Sequence, residues 1–252
     1  MKSLSSQIGI QSYCFRGLTS HAEVIAGLKA CDVTAVELCR VHVDFGDVGK
    51  HREIVRQYHT AGISIDSIGV ETLYGDRQQE RPIFEFARLA GAGFISVHFT
   101  PESSPESWHT AAEMAEEFDL KLCVHNHGGR HWLGSKQMLE YLLSATSQRI
   151  GLCLDTAWAL DAGEDPNEMA EKLSQHLFGV HIKDFVFDRG RKPQDVVVGT
   201  GNLALDVLLK QVASNSNVGY IVIEYEGDVE NPIPALQRCV EQVRPHLLGA
   251  AP

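Results

Sequence analysis

The sequence lacks three features that would each point to a particular class of protein. Its six cysteines include no CxxC pair, so the sequence indicates neither a cysteine-rich zinc site nor a dithiol redox motif. No run of about 18 apolar residues occurs, and the opening MKSLSSQIGIQSYCF contains no signal-peptide core. Basic residues are outnumbered 22 to 33, which gives a formal net charge of -11. We therefore expect a cytoplasmic protein that spans no membrane and binds no nucleic acid.

What the sequence does contain is a globular composition arranged in one repeating pattern. Hydrophobic residues make up 44% and charged residues 22%, which is enough apolar surface for one large core. Short β-rich runs alternate with longer stretches of helical period, a pattern typical of parallel βαβ units. Eight strands are predicted, at 7–15, 35–39, 64–70, 94–100, 120–127, 150–158, 177–185 and 220–227. Over residues 1–252 this count predicts a single domain, a (β/α)8 TIM barrel, with an open doubly wound α/β sheet as the alternative.

Helices are predicted between the strands because apolar residues recur at three- and four-residue spacing. Examples lie at 20–30, which begins at the capping residue Ser20, and at 81–90, which ends before Gly91. A third helix, at 203–212, follows the segment VGTGN. The amides that precede it could receive an anion, although a GxG pattern is not specific.

Polar residues gather at the C-terminal ends of the last four predicted strands, where barrels of this kind carry their active sites. These strands end in VHNHGG, CLDTAW, GVHIKD and VIEYEGD. Neighbouring strands lie about 4.8 Å apart, so His125, Asp155, His181 and Glu224 can converge on one point. Each residue alone is more often structural, but four in succession predict a metal site. Imidazole and carboxylate without thiolate favour one divalent ion, either Mn, Co, Zn, Fe or Mg.

Two further residues lie two positions beyond predicted ligands and therefore face the same side of their strands. His127 is predicted to act on the substrate as an acid or base. Lys183 is predicted to neutralise a substrate oxyanion or phosphate, or else to form a salt bridge with a neighbouring acid. Four residues near strand ends are assigned to substrate binding: His98, Trp158, Glu37 and Trp132. For the tryptophans, packing in the core or a loop is the alternative.

Taken together, these motifs resemble the xylose isomerase-like barrels of the sugar phosphate isomerase/epimerase family. The resemblance covers nearly the whole chain, through VELC, VHNH, LDTAW, HIKDF, VGTGNL and IVIEYEGD. It implies a metal held by one residue from each of the last four strands, here His125, Asp155, His181 and Glu224. It also implies an active site that works on carbonyl-bearing sugars.

The chain departs from the epimerases of this family at two positions. The strand-five residue is usually Glu in those enzymes, where two carboxylates remove and return a proton, and here it is His125. In those enzymes a His also tends to come shortly after the Asp of strand six, and this chain has Trp158 there. Relatives that eliminate from keto-glycosides are similar in placing a histidine on strand five. A substrate-binding Arg after strand seven would correspond to Arg189 or Arg191.

The predicted reaction is metal-assisted removal of a proton next to a carbonyl, with Glu224 or His127 as the base. The resemblance favours return of the proton to carbon, so the chain is predicted to be a sugar isomerase or epimerase, with elimination, which His125 and Trp158 favour, as the alternative. Loss of a β-leaving group would make it a lyase or dehydratase of a keto-sugar, keto-glycoside or inosose. Two other classes stay open, a hydrolase similar to apurinic endonucleases, which the acidic charge disfavours, and a binding protein. The sugar, the metal and the oligomeric state are also open, and a homo-oligomer is allowed.

Overall fold

The computed structural model describes residues 8–248, and within that range the strands form one closed barrel and one hairpin. The strands are β1 (Ile8–Gln11), β2 (Ala35–Leu38), β3 (Ser64–Leu73), β4 (Phe94–Phe99), β5 (Lys121–His125), β6 (Ile150–Asp155), β7 (Leu177–Ile182), β8 (Asp184–Phe187), β9 (Pro193–Val196) and β10 (Tyr220–Ile223). Strands β1 to β7 pair in chain order with parallel neighbours, and β10 closes the ring between β7 and β1. The remaining pair, β8 and β9, is an antiparallel hairpin. The predicted (β/α)8 TIM barrel is therefore confirmed, and the open sheet is excluded.

Helices surround the barrel, and three of them overlap the helices predicted at 20–30, 81–90 and 203–212. The helices are α1 (His21–Ala30), α2 (His51–Thr60), α3 (Arg77–Ala90), α4 (Glu106–Glu117), α5 (Lys136–Ala145), α6 (Thr156–Ala162), α7 (Pro166–Lys172), α8 (Leu205–Ser214) and α9 (Ile233–Leu248). Ser20 caps α1 in a capping box with Glu23, and Gly91 ends α3 in the left-handed conformation. Helix α3 begins four residues earlier than predicted because Asp76 caps it. Within the described range, no helix combines the length and apolar composition needed to cross a bilayer.

The interior of the barrel below its mouth is filled by a small cluster of side chains. Cys123 and Cys153 from β5 and β6 pack there with Tyr220 and Val222 from β10. All six cysteines are free and buried, as expected for thiols that serve as small hydrophobic groups. Strands β6, β7 and β10 are buried at every position, because helices cover their outer side and the packed interior covers the other.

Several predicted strands end too late, because the chain turns as soon as it leaves the barrel wall. Strand β6 stops at Asp155, whose carboxylate accepts a hydrogen bond from the backbone N–H of Trp158 and so starts helix α6. The predicted strand 177–185 breaks near Lys183, after which the chain enters the β8–β9 hairpin. These early turns bring polar side chains to the mouth of the barrel instead of extending the sheet.

The glycine-containing loop before α8 wraps around a carboxylate of the chain itself. Gly199 and Gly201 donate backbone hydrogen bonds to Oδ2 of Asp184 over 3.0 and 2.8 Å, and Leu203 donates to Oδ1 over 2.9 Å. Asp184 is fully buried, so these three amides replace the water that its charge would otherwise require. The anion predicted for this loop is thus supplied internally by Asp184.

Replacing Asp184 with alanine should lower the free energy of unfolding by about 3 kcal/mol, because three buried amides lose a charged acceptor. Urea denaturation of the variant measures this loss. A suitable control is Asp188→Ala, since Asp188 also accepts two backbone N–H groups but lies exposed in the hairpin turn. We expect less than about 1 kcal/mol for the control. Equal losses in both variants would show that burial of the Asp184 carboxylate adds nothing.

Candidate metal centre at the mouth of the barrel

The structure brings the four predicted ligands together at one point. His125, Asp155 and His181 come from β5, β6 and β7, and Glu224 directly follows β10. Nδ1 of His181 lies 2.7 Å from Glu224 Oε2 and 3.2 Å from His125 Nε2, and His125 Nε2 lies 3.5 Å from Asp155 Oδ2. One donor atom from each residue lies within 4.8 Å of all the others, and all four side chains are buried.

One oxygen in this group has the environment expected of a metal ligand. Oδ1 of Asp155 accepts the Trp158 N–H over 2.8 Å, but Oδ2 is buried without a hydrogen-bond partner. A bare carboxylate oxygen in the interior is costly, and a cation beside it would remove that cost. Two imidazole nitrogens and two carboxylate oxygens suit a divalent ion such as Zn or Mn. The residues present therefore fit the metal that the sequence predicts.

The charge states of these groups also suit a cation. Burial, reinforced by repulsion from His181, lowers the pKa of His125 to about 3, so its lone pair is free at neutral pH. Burial raises the pKa of Asp155 to about 6 against the opposing attraction of Lys183. Burial also acts to raise the pKa of Glu224, but Lys183 and His181 outweigh it and hold that pKa well below the usual value. Burial acts to lower the pKa of His181, but Cys153 and Glu37 outweigh it and raise that pKa above its ordinary value. Binding of an ion would therefore displace a proton from His181, after which two carboxylates and two neutral imidazoles would balance a charge of +2.

Asn126 is a structural partner of this centre that the sequence analysis missed. Its side-chain amide donates to the carbonyl of Asp155 over 2.9 Å and accepts from the Asp155 N–H over 2.8 Å. The amide is fully buried and ties the end of β5 to the end of β6. Its place between the two histidines of VHNH is the only sequence signal that marks it.

The side chain of Lys183 contacts acidic residues and does not face the open space above the four ligands. Its ammonium contacts Glu224 at 3.2 Å, Asp195 of β9 at 3.9 Å, and Glu226. Burial lowers the pKa of Lys183, but the attraction of Glu224 and Asp155 outweighs it and raises that pKa above its ordinary value. The predicted salt bridge is the arrangement seen, and Glu226 is a partner that the sequence analysis did not identify.

A cavity of about 400 Å³ opens above the four ligands and has the size of a small-molecule site. The residues lining it include His125, His127, Trp158, Glu224, Glu226, Tyr13 and Arg40. The indole of Trp158 lies parallel to the His127 ring, at 5.8 Å between centroids and 7° between planes. The structure therefore places His127 and Trp158 where the sequence analysis expects them to meet a substrate.

Histidines form a second group beside the cavity. Nδ1 of His127 lies 3.1 Å from Nδ1 of His125. The centroid of the His98 ring lies 4.2 Å from that of His127 and 5.1 Å from that of His131. Both ring nitrogens of His98 are buried without a hydrogen-bond partner. Burial, followed by repulsion from His125, lowers the pKa of His127 to about 3. His98, His125 and His127 also lie close enough to hold an ion, so two candidate groups share His125.

Three residues predicted to bind substrate do not line this cavity: Trp132, Glu37 and His98, which lines a neighbouring cavity together with Trp132. Trp132 donates from its indole N–H to the Phe99 carbonyl over 2.9 Å and stacks on Trp108, outside the cavity that holds the four ligands. For Trp132 the structure therefore shows the packing role that was the alternative to substrate binding. The carboxylate of Glu37 is fully buried below the ligands, where it faces His181 instead of the cavity. The structure therefore does not place Glu37 against this cavity, because its carboxylate is turned toward His181.

The cation at the edge of the cavity is Arg40, which the sequence analysis missed. Its guanidinium pairs with the buried carboxylate of Glu71 at 2.5 Å. Burial raises the pKa of Glu71 to about 7 against the attraction of Arg40. Arg189 and Arg191 instead lie exposed in the turn of the β8–β9 hairpin, and neither lines the cavity. Arg40 follows β2, which pairs with the strand β3 that carries Glu71.

Comparison with known proteins connects this geometry with a family. A family model described as a xylose isomerase-like TIM barrel matches residues 26–244. An inosose dehydratase from Clostridium botulinum is 24% identical over 207 residues, which cover 73% of this chain and 64% of that protein. The chain spans about half the length of the first curated relatives that it matches, from 42% to 64%.

Solved structures share the same fold at low sequence identity. The probable 3-DHS dehydratase AsbF from Bacillus anthracis superimposes with a TM-score of 0.73 at 14% identity, over 93% of this chain and 97% of that one. The IOLI protein with a bound zinc atom superimposes with a TM-score of 0.71 at 12% identity, over 97% of this chain and 99% of that one. At these identities the likeness concerns the fold.

Proposed function

This chain belongs to the xylose isomerase-like TIM barrel family, and on that premise we propose that it is a metal-dependent carbohydrate lyase. The reaction is removal of a proton next to a carbonyl, followed by loss of water from the neighbouring carbon. One observation carries the proposal. Among the cavity-lining residues, His127 is a neutral acid/base group outside the four-ligand set, whereas the carboxylate of Glu226 is engaged by Lys183.

His125, Asp155, His181 and Glu224 would hold the divalent ion at the floor of the cavity. When bound, the ion supplies Lewis acidity at the carbonyl and hydroxyl oxygens of the substrate. The zinc in the IOLI structure supports zinc as one candidate. Mn, Co, Fe and Mg suit the same oxygen and nitrogen donors, so the choice of metal belongs to experiment.

His127 acts as the base in this proposal, and its imidazole moves one proton twice. Nδ1 faces His125, so Nε2 is the nitrogen that takes the proton from the carbon next to the carbonyl. As the C–H electron pair forms a C=C bond, the C–O bond at the next carbon breaks. The imidazolium returns its proton to the departing hydroxyl, and water leaves. The imidazole ends neutral, so atoms and charge balance over the cycle.

The ligand set favours elimination over epimerisation. Epimerisation by two opposed bases needs a carboxylate on each side of the substrate carbon, and the strand-five position holds His125 instead. Asp155 is also committed, because one oxygen caps α6 and the other faces His125. The relatives named inosose dehydratase support water loss. Isomerisation is the second candidate, since His127 could return its proton to carbon, and the family supports it.

Two residues are proposed to hold the substrate against the ion. The indole of Trp158 presents an apolar face to the cavity, which suits the C–H face of a sugar or cyclitol ring. The unpartnered nitrogens of His98 suit a substrate hydroxyl, because a buried polar group without a partner is costly. Lys183 acts indirectly, by holding the carboxylates of Glu224 and Glu226 in place.

The test is incubation of the Mn(II)- or Zn(II)-loaded protein with an inosose and with a ketohexose in D2O, followed by NMR. We expect the inosose to lose water together with the hydrogen on the carbon next to its carbonyl. Ketonisation of the resulting enol in D2O then places deuterium on the carbon that carried the departing hydroxyl. Conversion of the ketohexose to another sugar, without water loss from the inosose, would select isomerisation instead. Turnover of a substrate that keeps its original hydrogen on the carbon next to the carbonyl would exclude both. Cleavage of an abasic DNA duplex would establish the hydrolase alternative.

A further inference from the structure

A buried carboxylate lies directly behind one of the four candidate ligands. The ring of His181 directs Nδ1 toward Glu224 and His125, the side on which an ion would sit. Its other nitrogen, Nε2, lies 3.0 Å from Oε1 of Glu37, an ion-pair contact without the alignment of a hydrogen bond. An imidazole has only two nitrogens, so the ring joins the ligand group on one side to Glu37 on the other.

Glu37 is held in this place by side chains from three other strands. Gln11 of β1 donates to Oε1 over 2.6 Å, while Ser67 of β3 and Ser96 of β4 donate to Oε2 over 2.5 and 3.0 Å. The hydroxyl of Ser96 also lies 2.7 Å from that of Tyr220 on β10. The network crosses the interior of the barrel, so the carboxylate has little freedom to turn away from His181.

The charge of Glu37 has no Lys or Arg partner among its contacts in the described part of the chain. The nearby buried carboxylate of Glu71 has Arg40, but the donors to Glu37 are neutral apart from the ring of His181. The His181 ring is therefore the group among these contacts that can offset the cost of burying the Glu37 charge. An ion on the far side of His181 would polarise the ring and strengthen its attraction to Glu37.

We infer that Glu37 is a positioning residue for the metal centre, because its buried carboxylate, 3.0 Å from Nε2, holds the ring proton of His181 on that nitrogen. This contact selects the tautomer whose Nδ1 lone pair points toward the ion, and it makes Nδ1 a stronger electron-pair donor. Glu37 does not touch the substrate. The inference rests on the proposed metal centre but assigns a role to a residue outside the four ligands.

The test measures metal binding and needs no substrate. Co(II) is titrated into metal-free wild type and Glu37→Gln, in competition with a chromophoric chelator, and its visible absorption spectrum is recorded. We expect Kd to rise roughly 10- to 100-fold in Glu37→Gln, with a changed Co(II) spectrum. Glu71→Gln is the matched control, because it neutralises a buried carboxylate on β3 that contacts Arg40 and no ligand. Its Kd should stay within about twofold of wild type.

The outcomes separate this inference from the metal centre itself. A folded Glu37→Gln that binds Co(II) with wild-type Kd and spectrum overturns the inference and leaves the metal centre standing. Wild type that binds no Co(II) overturns the centre and the inference together. If Glu37→Gln does not fold, Ser67→Ala removes one donor to the carboxylate and keeps its charge. Its Kd should then rise roughly fivefold, and an unchanged Kd overturns the inference.

Discussion

Replacing His181 with alanine should leave a folded barrel that no longer holds a stoichiometric divalent ion. The variant loses one of four donors and leaves the carboxylates of Glu37 and Glu224 without the ring between them. If four ligands share the binding free energy evenly, metal affinity should fall roughly 100- to 1000-fold. Turnover of the inosose should fall with it. Metal content after dialysis and the titrated Kd measure the effect.

A surface histidine gives the control for this experiment. His109 lies exposed on α4, away from the cavity, so His109→Ala should keep the metal content and the Kd of wild type. Circular dichroism of both variants checks that the barrel has formed. If His181→Ala retains a stoichiometric ion at wild-type affinity, the four-ligand centre is refuted.

His127→Ala should separate binding of the metal from catalysis. The variant keeps all four proposed ligands, so its metal content should stay close to that of wild type. It loses the proposed base, and the rate of water loss from the inosose should fall about 1000-fold. Metal analysis and the rate of product formation are measured on the same preparation, with His109→Ala as the control.

The opposite result would reassign the ligands. Nδ1 of His127 lies 3.1 Å from Nδ1 of His125, and His98, His125 and His127 form a second possible ion-binding group. If His127→Ala loses the ion while His181→Ala keeps it, that second group holds the metal. The proposed base would then be a ligand, and the proton transfer would need another residue.

Fold and ligands follow from the sequence because both depend on local pattern. Apolar runs alternating with amphipathic stretches determine parallel βαβ units, and eight such units close a barrel. Once the barrel is accepted, the last residues of neighbouring strands must meet at one mouth. His125, Asp155, His181 and Glu224 could therefore be chosen without knowledge of any contact between them, and the structure brings them within 4.8 Å of one another.

The partners of the other polar residues depended on the tertiary structure. Glu37 and Lys183 both lie at strand ends, as substrate-binding residues often do, yet one faces the back of His181 and the other is enclosed by acids. The carboxylate of Asp184 on β8 occupies the anion position of the glycine-containing loop before α8. In each case the partner comes from a strand or loop remote in the chain.

The sequence by itself determined which residue types reach the mouth of the barrel and on which strands they stand. Only the tertiary structure decided the height and direction of each side chain, because strand tilt, register shifts and early turns set which groups face one another. Local spacing cannot encode those offsets, since they arise from closing eight strands into one ring.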